Sequence, residues 1–128
     1  MTKINAIYKC NICGNIVEVL QQAGGTLVCC GKPMTLKDEL TKEGVGEKHL
    51  PLVEKREDGV FVKVGAVEHP TLPEHYIQWI EVLTDIEVLR LNLKAGDKPE
   101  GLFNVDYDKV VGVREYCNLH GLWAINLK

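Results

Sequence analysis

Leu50-Pro51-Leu52-Val53-Glu54-Lys55-Arg56-Glu57-Asp58-Gly59-Val60-Phe61-Val62-Lys63-Val64-Gly65 decides the fold. Two runs suited to extended backbone, residues 50–57 and 60–65, flank Asp58-Gly59. That dipeptide is the strongest short hairpin signal, because Gly accepts the backbone twist of a tight turn. Downstream the pattern repeats. Tyr76-Ile77-Gln78-Trp79-Ile80-Glu81-Val82-Leu83 is rich in aromatic and β-branched residues, and residues 86–93 follow after Thr84-Asp85. Ala95-Gly96-Asp97-Lys98-Pro99 is a turn, and residues 101–105, 110–116 and 122–127 complete the set. Short strands with frequent turns predict an antiparallel β-sandwich of immunoglobulin-like type over residues 49–128.

The totals bound the function. A chain of 128 residues is one domain, or one domain with a small appendage. Its 45% hydrophobic and 26% charged content is that of a globular protein. A formal charge of −3 argues against a general nucleic-acid binder, which needs a basic face. No apolar run approaches the ~20 residues that span a bilayer. Met1-Thr2-Lys3-Ile4-Asn5 lacks the apolar stretch of a signal peptide, so a cytoplasmic location is expected. Five Cys in such a compartment point to metal or redox chemistry rather than to a disulfide framework.

Four of those Cys lie in residues 1–38. A short strand over residues 4–9 runs into Cys10-Asn11-Ile12-Cys13-Gly14-Asn15. Cys-x-x-Cys-Gly is the turn of zinc ribbons and rubredoxin-like sites, in which Gly lets backbone N–H groups face the sulfurs. Residues 16–20 are strand-like, Gly24-Gly25 is a turn, and Thr26-Leu27-Val28 leads to Cys29-Cys30-Gly31-Lys32-Pro33-Met34. Four thiols in two pairs suit one tetrahedral ion, iron or zinc. The second pair is adjacent, which predicts a distorted tetrahedron. A vicinal disulfide and a thioredoxin-type redox pair are the alternatives; the latter wants a βαβ context that the sequence lacks. A segment this small hardly builds its own core, which favours the metal. Residues 39–48 read as a linker and loop, with one turn of helix expected at 36–40.

The remaining thiol sits in Glu115-Tyr116-Cys117-Asn118-Leu119-His120-Gly121. By itself Cys-x-x-His is weak evidence and reads first as a buried Cys near a surface His. The chain has four His, His49, His69, His75 and His120, and each lies in a loop beside Pro or Gly or close to Cys117. Two Pro in His69-Pro70-Thr71-Leu72-Pro73-Glu74-His75 restrict how two imidazoles are placed. Four unrelated surface His is one reading; convergence at one end of the sandwich is the other. Four imidazoles and a thiolate exceed zinc's usual four ligands and favour iron. A thiolate pushes electron density onto iron, and a sixth position would stay open to a small ligand.

The chain resembles the desulfoferrodoxins, the two-iron form of superoxide reductase, along its whole length. The resemblance rests on Tyr8-Lys9-Cys10, Cys13-Gly14-Asn15 and Cys29-Cys30 for the desulforedoxin-like module, and on Glu47-Lys48-His49, His69-Pro70, His75-Tyr76-Ile77-Gln78-Trp79-Ile80 and Glu115-Tyr116-Cys117-Asn118 with His120-Gly121 for the catalytic domain. It implies two iron ions per chain. Cys10, Cys13, Cys29 and Cys30 would hold one. His49, His69, His75 and His120 would lie in a plane around the other, with Cys117 axial. Superoxide would be reduced to hydrogen peroxide at the open position. Glu47 is similar to the family's carboxylate that closes this position in the oxidised state, and Lys48 to the lysine that attracts the anion and assists protonation. A small electron donor such as rubredoxin and a homodimer are implied as partners; the charge and the lack of a long apolar run add the expectation of no nucleic acid and no membrane.

Two other classes compete. A zinc-ribbon joined to a β-sandwich interaction domain explains the first four Cys and leaves the His accidental. A rubredoxin-type electron-transfer protein explains one iron and gives no reason for a second site.

Overall fold

Along the strand Gly59–Val64, Val60, Val62 and Val64 are fully buried and alternate with more exposed neighbours. This two-residue period is that of a sheet with one face turned to a core. The computed structural model describes residues 1–41, 49–65 and 69–128. They fall into two units, Met1–Asp38 and Glu39–Lys128. Of the loop expected at 39–48, residues 42–48 lie outside the described residues, and Glu47 and Lys48 with them.

In the first unit β1 (Ile7–Lys9) pairs antiparallel with β2 (Ile16–Glu18) on one side and β5 (Thr35–Lys37) on the other. A two-stranded hairpin, β3 (Val28–Cys29) with β4 (Lys32–Pro33), completes it. The helical turn expected at 36–40 is not formed. Leu36 instead pairs with Tyr8 in the β1–β5 ladder, and Thr35 with Lys9. Buried side chains here are few: Ile7, Cys10, Val19 and Thr2.

The second unit is mainly β, as expected. One sheet has the order β10 (Glu100–Phe103), β7 (Gly59–Val64), β6 (Pro51–Arg56). The other has the order β12 (Gly121–Asn126), β11 (Gly112–Cys117), β8 (Ile77–Leu83), β9 (Val88–Asn92). Val60, Val62, Val64 and Phe103 of the first sheet share one buried cluster with Ile77, Ile80, Val82, Val113 and Cys117 of the second. Three and four antiparallel strands packed in this way match the immunoglobulin-type sandwich. Among the described residues no helix is long and apolar enough to cross a membrane.

The hairpin turn sits one residue earlier than the sequence suggests. Arg56 pairs with Gly59, so Glu57 and Asp58 are the turn and Gly59 opens β7. Gly59 is needed for a different reason. Its φ is +148°, and a Cβ there would lie 2.2 Å from the Phe103 carbonyl oxygen.

The other face of the four-stranded sheet carries a buried ion pair. Arg114 Nε donates to Glu81 Oε1 at 2.7 Å, and Arg90 Nε to Glu81 Oε2 at 3.0 Å. Glu81 is fully buried and Arg114 nearly so. Arg114 also reaches Glu39 at 3.4 Å. Glu81 and Arg114 are cross-strand partners in the β8–β11 register, so the pair fixes that register. Removing one partner strands a buried charge. Glu81→Ala is expected to lower the unfolding free energy by about 3–5 kcal/mol, with a smaller loss for Glu81→Gln. Denaturant unfolding followed by Trp79 and Trp123 fluorescence measures this. A loss below about 1 kcal/mol would mean that the pair behaves as a solvated one.

Candidate metal centres

The first group forms where β1 and the β3–β4 hairpin end. Cys10 follows β1, and its turn is closed by Gly14 N–H donating to Cys10 O at 2.9 Å. Gly14 has φ +85°, which only Gly adopts at no steric cost. The turn aims backbone donors at sulfur: Cys13 N–H lies 3.5 Å from Cys10 Sγ and Asn15 N–H 3.4 Å from Cys13 Sγ. The Asn15 carboxamide adds a third, 3.8 Å from Cys29 Sγ. Cys29 pairs with Lys32, leaving Cys30-Gly31 as a two-residue turn with φ +53° and +75°. Two successive positive φ values mark a type I′ turn. This backbone twist explains how adjacent thiols reach one point.

The ligand atoms of Cys10, Cys13, Cys29 and Cys30 all lie within 4.8 Å of one another. Cys13 and Cys29 sulfurs are 3.6 Å apart, Cys29 and Cys30 sulfurs 4.0 Å. A tetrahedron with metal–sulfur bonds of ~2.3 Å has edges of about 3.8 Å, so the set fits one ion. The metal-free thiols differ in acidity. Hydrogen bonds from the Cys13 and Ile12 backbone lower Cys10 to about 6. Neighbouring sulfurs of Cys13 and Cys10 raise Cys29, and those of Cys13, Cys10 and Cys29 push Cys30 up to about 12.

The second group gathers at one end of the sandwich. One donor atom each from His49, His69, His75 and Cys117 lies within 4.8 Å of the others. His120 joins them, with Nδ1 3.1 Å from His49 Nε2 and 3.9 Å from Cys117 Sγ. The four imidazoles close a ring. Successive centroids are 4.9 Å (His49 to His69), 4.9 Å (His69 to His75), 5.0 Å (His75 to His120) and 4.8 Å (His120 to His49) apart. Each neighbour is turned edge-on, by 68° to 80°. Metal–nitrogen bonds of ~2.1 Å would set neighbouring donors about 3.0 Å apart, close to the His49–His120 separation. His69 Nδ1–H donates to Pro70 O at 2.8 Å, which leaves the lone pair on its buried Nε2. Nitrogen and thiolate donors suit a transition metal rather than calcium or magnesium. The five expected donors are thus brought together. His49, His69 and Cys117 are buried, His75 is half-buried and His120 is exposed, so the group meets the surface at His120.

A β-bulge lies opposite Cys117. In the β8–β11 ladder Tyr116 pairs with Trp79, but Cys117 pairs with Ile77, skipping Gln78. The shift turns Ile77, which is out of phase with Ile80 and Val82 on β8, to the inner cluster that Cys117 joins by ordinary alternation with Val113. Bulges recur beside functional sites because they re-aim one side chain. Trp123 was not singled out by the sequence, yet it touches two of the donors' residues. Its indole stacks on His49 at 4.7 Å and 11°, and its Nε1–H donates to His120 O at 3.2 Å. Its position three residues after His120 is the only sequence signal, and alone it is silent.

Metal uptake must remove the protons of Cys29 and Cys30, whereas Cys10 is already a thiolate above about pH 6. Zinc added to the metal-free protein is therefore expected to release protons between pH 7 and pH 8, and affinity should rise with pH. A pH-stat titration of wild type against Cys30→Ser measures it; loss of that thiol should remove one released proton.

The sequence matches the Desulfoferrodoxin family over residues 41–126 and the Desulfoferrodoxin N-terminal domain over residues 2–36. It is 53% identical to the desulfoferrodoxin of Syntrophotalea carbinolica, over 92% of this chain and 93% of that one. It is 55% identical to the desulfoferrodoxin of Nitratidesulfovibrio vulgaris, over 91% and 92%. The structure is similar to a superoxide reductase from Treponema pallidum, with a TM-score of 0.79 and 30% identity over 94% of this chain and 97% of that one. Two family domains in order, both donor groups assembled and relatives matched over more than nine-tenths of both chains lead to one conclusion: the chain belongs to the desulfoferrodoxin family.

Proposed function

We propose that this chain is a superoxide reductase with two irons. The observation that carries the reading is the closed ring of four imidazoles with Cys117 beside it, at a surface-facing end of a rigid sandwich. Cys10, Cys13, Cys29 and Cys30 hold one iron; His49, His69, His75, His120 and Cys117 hold the other. Bound ferrous iron supplies the single electron that, with two protons, converts superoxide to hydrogen peroxide.

The protein's own residues prepare that site. The imidazoles are neutral donors and Cys117 contributes the one negative charge, so with a ferrous ion held there the centre would keep a net positive charge toward an incoming anion. The Cys117 thiolate raises electron density at the metal, which favours giving up an electron. The Pro70 carbonyl fixes the His69 tautomer, and Trp123 holds the His49 ring plane and the His120 carbonyl. Lys48 attracts the anion and assists its protonation, and Glu47 is the carboxylate that closes the open position when the iron is oxidised. Lys48 adjoins His49 in sequence, and Glu47 precedes Lys48. A chain of net charge −3 repels superoxide on average, so a local cation is what steers it.

The four-cysteine iron stabilises a unit with almost no core, or relays electrons from a small donor of rubredoxin type. The active form is a homodimer, located in the cytoplasm. Metal analysis with a visible spectrum tests the core of the reading. Two irons per chain are expected, with a thiolate-to-iron band appearing when the second is oxidised. One zinc and no colour, with no band after iron reconstitution, would overturn it. Sedimentation at micromolar concentration should give a dimer.

Lys48→Ala is expected to slow the second-order reaction with superoxide about tenfold or more and to flatten its dependence on ionic strength. Pulse radiolysis of the reduced protein reads both. An unchanged rate and salt slope would remove Lys48 from the mechanism.

A further inference from the structure

Cys117 and His75 belong to different strands' ends, and something must fix the distance between them. We infer that the Asn118 carboxamide is that positioning group: it staples the backbone on both sides of His75 to the residue that follows Cys117. This rests on the reading of His75 and Cys117 as ligands of one iron.

The geometry is specific. Asn118 Oδ1 accepts from Tyr76 N–H at 3.0 Å, the peptide just after His75. Asn118 Nδ2 donates to Glu74 O at 3.1 Å, the peptide just before it. The Asn118 backbone N–H donates to Tyr76 O at 3.2 Å. On its inner side the same loop is closed by two bonds between Leu72 and His75, each 2.9 Å. The peptide groups around His75 are thus held from both directions. An Asn in a turn ordinarily bonds its own neighbours. Here both side-chain bonds reach residues 42 and 44 positions away. The bulge at Gln78 ends the regular β8–β11 ladder, and the carboxamide takes over pairing where the ladder stops. Only a side chain with a donor and an acceptor at this length does both. Aspartate keeps the acceptor but sets a carboxylate against the Glu74 carbonyl; alanine loses both bonds.

Groups that orient metal ligands typically contribute about 10- to 100-fold in metal affinity. In the iron-loaded full chain, Asn118→Ala and Asn118→Asp are expected to release iron from the His/Cys site to a ferrous chelator at least about tenfold faster than wild type. The four-cysteine iron, followed by its own visible bands, should be unaffected. The thiolate-to-iron band of the oxidised second site should also move, since His75 shifts relative to Cys117. Thr84→Ala is the control for lost loop hydrogen bonds. Thr84 Oγ1 makes three, with Ile86 N–H, Glu87 N–H and Glu87 O, at the other end of β8. It should lower stability without speeding iron release. Equal release from Thr84→Ala and Asn118→Ala, or wild-type release and an unmoved band in Asn118→Ala, would overturn the inference and leave the proposed function standing. A wild-type protein with no iron beyond the four-cysteine site would overturn both.

Discussion

The pairing of β11 with β8 on one side and β12 on the other is the constraint on which the second metal centre depends. Cys117 ends β11, His120 sits in the turn to β12, and His75 precedes β8. Three of five donors are therefore set by one three-stranded register. A slip of one residue would turn Cys117 to the opposite face. The buried Glu81–Arg114 pair, directly across this register, makes such a slip costly. The bulge at Gln78 then changes the phase of β8, so that Ile77 faces inward opposite Cys117.

The two units meet the same requirement by different means. The sandwich has a cluster of fully buried aliphatic side chains, and its loops and the end of β11 hold the donors without the metal having to create the fold. The first unit buries Ile7 and Val19 and little else that is apolar. Its strands are two or three residues long. Below roughly 40 residues a core of this kind is insufficient, and a metal supplies the missing cross-link. The thiols are arranged for that: backbone N–H groups already lower one of them, and sulfur crowding holds two others protonated until an ion replaces the protons.

Burial grades the second centre. His49, His69 and Cys117 are enclosed while His120 is exposed, so a small anion has a short way in from that side. The ring of edge-on contacts leaves little freedom for any one imidazole to turn independently.

Much was legible in the sequence because it depends on local chemistry. Cys-x-x-Cys-Gly needs only a tight turn, and alternation along residues 60–64 needs only a sheet. The five donors of the second group could be named from residue type and loop position. Their convergence could not, since it joins residues up to 71 positions apart through strand order. Three local expectations also yielded to tertiary context. Leu36 joined a ladder with Tyr8 in place of a helical turn, the hairpin turn moved to Glu57-Asp58, and Gly59 answered to the Phe103 carbonyl. Trp123 and the long-range role of Asn118 appear only when strands are paired. Sequence by itself determined which atoms can bind metal. The tertiary structure decided which of them share one ion, because that is a matter of register, bulge and turn, and these are fixed by contacts between distant residues.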